Sequence, residues 1–161
     1  MAVLTCGELG YSSLEQLLNR FRLSLTVVAD NAPIPGSWFG EPEAGVIKTE
    51  LLIRSDTPVH SALHEACHVI CMDETRRAEL HTDTGGDYDE ENAVCYLQLL
   101  LADHLADMGR ERMMQDMDEW GYSFRLGSTR AWFTDDAEDA RDWLIQHELI
   151  QKDLTPNWRL R

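Results

Sequence analysis

The spacing of apolar and polar residues predicts a helix near the start of the chain, followed by short strands. Apolar residues three and four apart begin near Ser13, and Ser13 with Gln16 has the spacing of a helix-capping box. Short alternating or apolar runs follow, separated by clusters of proline and glycine that favour turns. These runs predict a small sheet built from three segments: residues 23–28, 37–40 and 46–53.

Helical spacing returns near residue 56 and continues through most of the remaining chain. Asp56 or Thr57 can cap a helix that extends to about Met72, and the polar residues 73–89 predict a long loop. Residues 122–133 are consistent with either a hairpin or a loop. Further helices are predicted from Asp89 or Glu90 to Gly109, over 110–119, and after a cap at 134–136.

Composition and charge narrow the class of protein. The 161 residues, 43% hydrophobic and 27% charged, fit one soluble globular domain spanning 1–161, and the pattern of elements predicts the α+β class. A net charge of −15 argues against nucleic acid or an anionic membrane as a partner. Neither a secretory signal nor a membrane span is visible, so a cytoplasmic location is expected. The four cysteines are expected to be buried free thiols.

The motif that carries chemistry is His64-Glu65-Ala66-Cys67-His68, an H-E-x-x-H pattern inside an apolar helix. Residues four apart share one helix face, so His64 and His68 can bind one metal ion such as Zn²⁺. Glu65 then projects beside the metal, where it can act as a general base towards water. Two histidines and a glutamate buried without partners would be costly, and a metal ion offsets that cost.

A catalytic zinc site usually has three protein ligands, so a third ligand must come from elsewhere. An extended version of the motif would need glycine where Cys71 stands. His60 lies on the same helix face, but it is eight residues, or about 12 Å, from His68, so the three histidines cannot share one ion. His60 is therefore expected to face solvent or to support the ligands.

Two neighbouring carboxylates at the start of the next predicted helix are the remaining candidates. Glu90 and Glu91 point about 100° apart on a helix, so only one can face the motif helix. Glu90 is followed at three, four and seven residues by small or apolar side chains, whereas Glu91 is followed at seven by the polar Gln98. This pattern favours Glu90 as the third ligand and leaves Glu91 as the alternative.

H-E-x-x-H followed by Glu90-Glu91-Asn92-Ala93, an E-x-x-A pattern, resembles the gluzincin metallopeptidases. The order of helix, strands, motif helix and E-x-x-A helix is similar to that of the small ImmA/IrrE-type family, over about the first two-thirds of the chain. The resemblance implies a zincin-like fold, with His64, His68 and Glu90 as zinc ligands and Glu65 as the catalytic base. It also implies a cytoplasmic protease that acts on a regulatory protein. The chain departs from the family at Cys67 and Val94, where glycine and aspartate are common.

These observations predict a zinc-dependent peptidase with a protein or peptide substrate, and they leave the oligomeric state open. A strand beside the metal could pair with an extended peptide. The alternative is a non-catalytic protein-interaction module that a metal stabilises, and a hydrolase of a non-peptide amide is a third possibility. A fourth protein ligand would favour the structural role. Peptide hydrolysis also needs a group that stabilises the oxyanion, and the candidates are Tyr88, Tyr122, His81, His104 and Arg125.

Overall fold

The structure, a computed structural model of the chain, describes residues 2–161. Within this range there are eight α-helices and a small three-stranded sheet, which confirms the α+β class. The elements in chain order are α1 (Cys6–Leu9), α2 (Tyr11–Arg20), β1 (Ser24–Val27), β2 (Gly45–Ile47), β3 (Glu50–Ile53), α3 (Val59–Cys71), α4 (Glu74–Ala78), α5 (Tyr88–Ala102), α6 (Gly109–Trp120), α7 (Thr129–Asp135) and α8 (Glu138–Gln146).

The sheet is mixed, with β3 at its centre. β1 pairs with β3 in parallel, with Leu25 opposite Leu51. β2 pairs with the other edge of β3 in the antiparallel direction, with Val46 opposite the same Leu51. The side chains of Val46, Leu51 and Ile53 are buried in the core, so the sheet forms one wall against which α3 packs.

The third predicted strand, residues 46–53, is in fact two strands joined by a tight turn. Lys48 has φ 53° in this turn, which is a left-handed conformation. Glycine or asparagine is usual at such a position, so the lysine gives no indication of a turn in the sequence. The expected strand at 37–40 is also absent from the described residues. Ser37 makes an isolated bridge to Gly45, and the two residues after it are exposed.

The first helices begin earlier than predicted. α2 starts at Tyr11, after Gly10, so the expected capping box of Ser13 with Gln16 is wrong. A capping box does exist one element earlier, where Thr5 and Glu8 cap the single turn of α1. α1 is too short for the apolar period to have indicated it.

Two helices form the centre of the core: α3, which is the predicted motif helix, and α5, which carries the two neighbouring glutamates. All 13 residues of α3 are buried, and α3 packs mainly against α5. α3 begins after Pro58 without a side-chain cap, so the predicted cap at Asp56 or Thr57 is wrong. The four cysteines are free and buried, as expected.

The remaining segments differ from the prediction in detail. The predicted loop 73–89 contains α4, which Asp73 caps by accepting a hydrogen bond from the backbone N–H of Arg76. Residues 122–133 form a loop and then most of α7, which Ser128 caps. α5 ends at Ala102 rather than near Gly109. Among residues 2–161, no helix has the length and apolar character that crossing a membrane requires.

Candidate metal centre

His64 and His68 lie one turn apart on α3, with their rings edge to face and their centroids 4.8 Å apart. The Nε2 atom of His64 is 3.1 Å from one carboxylate oxygen of Glu91, and that of His68 is 3.0 Å from the other. One ligand atom from each of these three residues lies within 4.8 Å of the others. The structure thus brings together two imidazoles and one carboxylate, a donor set that suits a catalytic zinc ion.

Glu91, and not the expected Glu90, faces the two histidines. The Glu90 side chain is buried and pairs with Arg76, whose two terminal nitrogens each lie 2.8 Å from a carboxylate oxygen. Arg161 makes a further contact of 3.2 Å with the same carboxylate. Since two arginines occupy the Glu90 carboxylate, that carboxylate is not directed towards His64 or His68.

Gln98 explains why the apolar pattern pointed to the wrong neighbour. It lies seven residues after Glu91 on the same face of α5 and is completely buried, yet its polar atoms all have partners. Its Oε1 atom is 2.9 Å from Nδ1 of His64, and its Nε2 atom donates to the backbone carbonyl of His60 at 2.9 Å. The polar Gln98, seven residues after Glu91, therefore lies on the face of α5 that supports the site, although its polarity alone argued against that face.

The hydrogen bond with Gln98 also determines which ring nitrogen of His64 is available to the cluster. Because an amide oxygen only accepts, Nδ1 of His64 donates to Gln98, which leaves Nε2, the atom that faces Glu91, as the nitrogen that would bind a metal in place of its proton. Nδ1 of His68 is buried and has no hydrogen-bond partner among residues 2–161. One ligand is therefore oriented by hydrogen bonding, and the other by packing inside α3.

The electrostatics of the three groups favour a positive charge between them. Burial alone would lower the pKa of His64, but neighbours that include Tyr122 and Glu91 raise this pKa well above its ordinary value. Burial alone would raise the pKa of Glu91, but hydrogen bonds from His64 and His68 lower it well below its ordinary range. A cation among the three side chains would replace the proton that they hold.

Glu65 is buried on the same helix turn and lines a cavity of about 280 Å³ together with His64, His68 and Glu91. Burial raises the pKa of Glu65, and the charge of Glu91 adds to this effect while the two histidines oppose it. A carboxylate with a raised pKa is a better proton acceptor, which is the property that a general base needs.

Two loops form the outer wall of this cavity. Trp38 and Phe39 are 61% and 70% exposed there, although side chains of this size are usually buried. The segment 83–86, which precedes α5, is the second loop that lines the cavity. The cavity is therefore an open cleft with an aromatic lip on one side of the histidines.

The expected pairing of a peptide with a strand beside the metal cannot take place at β2 in this sheet. Both edges of β2 are already occupied, one by β3 and the other by flanking loop residues. The backbone N–H of Val46 donates to Gly36, and its carbonyl accepts from Thr82. A substrate would have to bind against side chains and loops rather than extend this strand.

Of the five candidates for an oxyanion-stabilising group, Tyr122 packs against one of the two histidines of the cluster. Its ring packs 5.6 Å from that of His64, and its hydroxyl is 3.2 Å from Nδ1 of His60. Burial raises the pKa of Tyr122 to about 12, so its hydroxyl keeps its proton and remains a donor. The other candidates have different surroundings: Tyr88 is exposed, His81 contacts Thr82, His104 packs against Trp158, and Arg125 pairs with Asp136.

The residues considered as further ligands lie outside the cluster. His60 is buried rather than facing solvent, and its contacts are with Tyr122 and Trp120. Cys67 and Cys71 are buried on α3, and desolvation raises the pKa of both thiols, which disfavours the thiolate that binds zinc. Among residues 2–161, the cluster is thus limited to His64, His68 and Glu91.

Comparison of the chain with models of known protein families, with curated proteins and with solved structures found no match. The functional argument therefore rests on the geometry and chemistry of the site.

Proposed function

We propose that this protein is a zinc-dependent peptidase. The observation that carries the proposal is the convergence of His64, His68 and Glu91 beside the buried carboxylate of Glu65, at the floor of an open cleft. Two imidazoles and a carboxylate are a common donor set of catalytic zinc, and such a site keeps one coordination position open. A zincin-like fold is part of this proposal.

The residues present fit a zinc ion. The His64 and His68 nitrogens that face Glu91 are the Nε2 atoms, and the contact with Gln98 reserves that of His64 for a ligand. The nearby guanidinium groups do not compete, because Arg76 and Arg161 pair with Glu90 instead. Zinc held by these three side chains would supply Lewis acidity, which acidifies water and polarises a carbonyl group.

The chain's own groups then have distinct roles. Glu65 takes a proton from the attacking water and delivers it to the amine that leaves when the peptide bond breaks. The hydroxyl of Tyr122, which keeps its proton, is the candidate donor to the oxyanion. Gln98 holds the His64 ring in its orientation through Nδ1.

The alternative is that the metal only stabilises a protein-interaction module. Such a site would need a fourth protein ligand, and the candidates do not join the cluster: His60 contacts Tyr122, and His81 contacts Thr82. A structural site also has no use for a buried base at the position of Glu65. Both points favour the enzyme.

The resemblance to the ImmA/IrrE-type family now rests on H-E-x-x-H and the order of the elements, because the E-x-x-A pattern begins at Glu90, which lies outside the cluster. It suggests a regulatory protein as the substrate, acted on in the cytoplasm. The cleft is compatible with a flexible segment of such a protein, because its walls are loops and exposed aromatic side chains.

The change Glu65→Gln tests the proposal, since it keeps the size of the side chain and removes the base. Zinc-loaded wild-type and variant proteins are incubated with a mixture of end-blocked peptides, and the products are identified by mass spectrometry. Cleavage is expected to fall by about 10²–10⁴-fold while zinc content stays the same.

The matched control is Glu15→Gln, the same change on the exposed face of α2, which should leave cleavage unchanged. Zinc-loaded wild-type protein that cleaves no peptide would contradict a general peptidase. A loss of less than about tenfold in Glu65→Gln would remove Glu65 from the role of base.

A further inference from the structure

A second and larger cavity, of about 460 Å³, adjoins the candidate metal centre at Glu91. Glu91 lines both this cavity and the smaller one, whereas His64 and His68 line only the smaller one. The first residues of α5, the loop after α6, and the helices α7 and α8 form its walls. A substrate bound at the cluster would therefore reach this cavity with a neighbouring side chain that passes Glu91.

Aromatic side chains form much of the wall. The rings of Phe124 and Trp132 are stacked with centroids 4.5 Å apart, and Tyr122 lies next to Phe124 on the side of His64. Tyr88, with 79% of its surface exposed, also lines the cavity. Trp132 itself is buried under this stacking, so the accessible rings are those of Tyr88 and the half-buried Phe124. Such rings bind the alkyl stem of a long side chain and attract a cation at its end.

The charge of the lining determines which side chain fits. Asp89, Asp136 and Asp139 contribute three negative charges besides Glu91, which belongs to the metal cluster. Arg125 is the one cation in the lining, and its guanidinium pairs with Asp136, with Nε 2.8 Å from the carboxylate. Three negative charges and one positive charge leave a net charge of −2.

We propose that this cavity is a specificity pocket for a lysine or arginine side chain next to the bond that is cleaved. Aromatic faces beside unneutralised carboxylates suit a long cationic side chain better than an apolar or acidic one. The net charge of −15 also favours encounter with a basic peptide. This inference rests on the proposed peptidase function, which it deepens by naming the substrate class.

The test compares pairs of end-blocked peptides that are identical except for lysine or norleucine at one position. Norleucine keeps the alkyl stem and lacks the charge, so the ratio of the two kcat/KM values isolates the cation. The lysine peptide is expected to be cleaved about three- to tenfold more efficiently, and added salt should reduce this preference.

Three variants change the charge of this region in different ways. Asp139→Asn removes a negative charge from the lining and should lower the lysine preference by about three- to tenfold. Arg125→Gln removes the competing cation, changes the lining charge from −2 to −3, and should raise the preference. Glu138→Gln is the matched control, because it changes a neighbouring exposed carboxylate that does not line the cavity.

Binding is measured in parallel, by fluorescence anisotropy of labelled peptides with zinc-loaded Glu65→Gln protein. This second readout separates the two proposals. Lysine-selective binding that Asp139→Asn weakens, without cleavage by the wild type, supports the pocket and contradicts the peptidase.

Cleavage with equal rates for lysine and norleucine peptides supports the peptidase and overturns the pocket. An equal loss of preference in Glu138→Gln and Asp139→Asn would also overturn it, because the effect would then come from the overall charge.

Discussion

Gln98 shows how one residue can decide which of two neighbours is the candidate metal ligand. A glutamine seven residues after Glu91 looks unsuitable for a buried helix face when it is judged by polarity alone. In the fold it bridges His64 and the backbone of His60, so its polar atoms are as well satisfied as those of a surface residue. A buried polar side chain near a metal cluster is therefore evidence for the functional face.

The two adjacent glutamates can be separated by measuring zinc affinity. Glu91→Gln removes the charged oxygen donor from the cluster and should weaken zinc binding by roughly 100-fold or more. Glu90→Gln changes a carboxylate that pairs with Arg76 and Arg161, so its zinc affinity should change much less. Competition with a chromophoric chelator measures both. A larger loss for Glu90→Gln would return the ligand role to Glu90.

At the scale of single residues, the sequence predicts only those side-chain positions that helix geometry alone determines. Residues four apart share a face in any helix, so the proximity of His64 and His68 and the position of Glu65 follow from H-E-x-x-H. The choice between Glu90 and Glu91 depends on how α5 is rotated against α3. That rotation results from tertiary contacts such as the ion pair of Glu90 with Arg76, which no local pattern reveals.

At the scale of elements, an ion-pair network holds the loop that forms one wall of the cleft. Glu90, at the start of α5, binds Arg76 of α4, and Arg76 also donates to the carbonyl of Thr84. Gly86 follows in the same loop with φ 95°, and a Cβ atom there would collide with the Glu90 carboxylate. Only glycine fits this position, which brings the loop close to the carboxylate.

Arg76→Met tests this network, because it keeps the alkyl stem and removes the guanidinium from a buried carboxylate. The free energy of unfolding should fall by about 1–2 kcal/mol, since Arg161 remains as a partner and Arg76 is partly screened by solvent. Urea unfolding of the zinc-free protein measures the change. Arg130→Met, which breaks an exposed pair with Glu111, is the control and should have little effect. Equal effects of the two changes would contradict a structural role for the network.

The elements that the sequence predicts well are helices in which the apolar spacing continues over several turns. The motif helix and the helix after Asp87 extend over three or more turns, so their existence was clear although their caps were not. The tight turn at Lys48 and the single turn of α1 depend on a few residues without glycine or proline. Tertiary contacts stabilise such short pieces, and an average over a sequence window does not detect them.

At the scale of the whole molecule, the site depends on the packing of α3 between the sheet and α5. The two histidines come from α3, the carboxylate comes from α5, and Gln98 of α5 joins both helices by hydrogen bonds. A metal ion bound by both helices would cross-link the centre of the core. Zinc binding and the stability of the fold should therefore be coupled.

The coupling has a size that can be measured. A ligand that binds only the folded state stabilises it by about 4 kcal/mol when its free concentration is roughly 1,000 times its dissociation constant. For a chain of this length, that gain corresponds to a rise in Tm of roughly 10 °C. Protein stripped with a chelator should unfold at the lower temperature, and added zinc should restore the higher one.

Variants of single histidines show which residues cause the zinc-dependent rise in Tm. His64→Ala and His68→Ala should each abolish the zinc-dependent rise in Tm, because each leaves only two ligands. His81→Ala removes an exposed histidine outside the cluster and should keep the full rise. Differential scanning calorimetry with and without zinc measures all of them. A rise that persists in His64→Ala would place the zinc elsewhere in the molecule, and a wild-type protein without any rise would remove the metal from the centre of the fold.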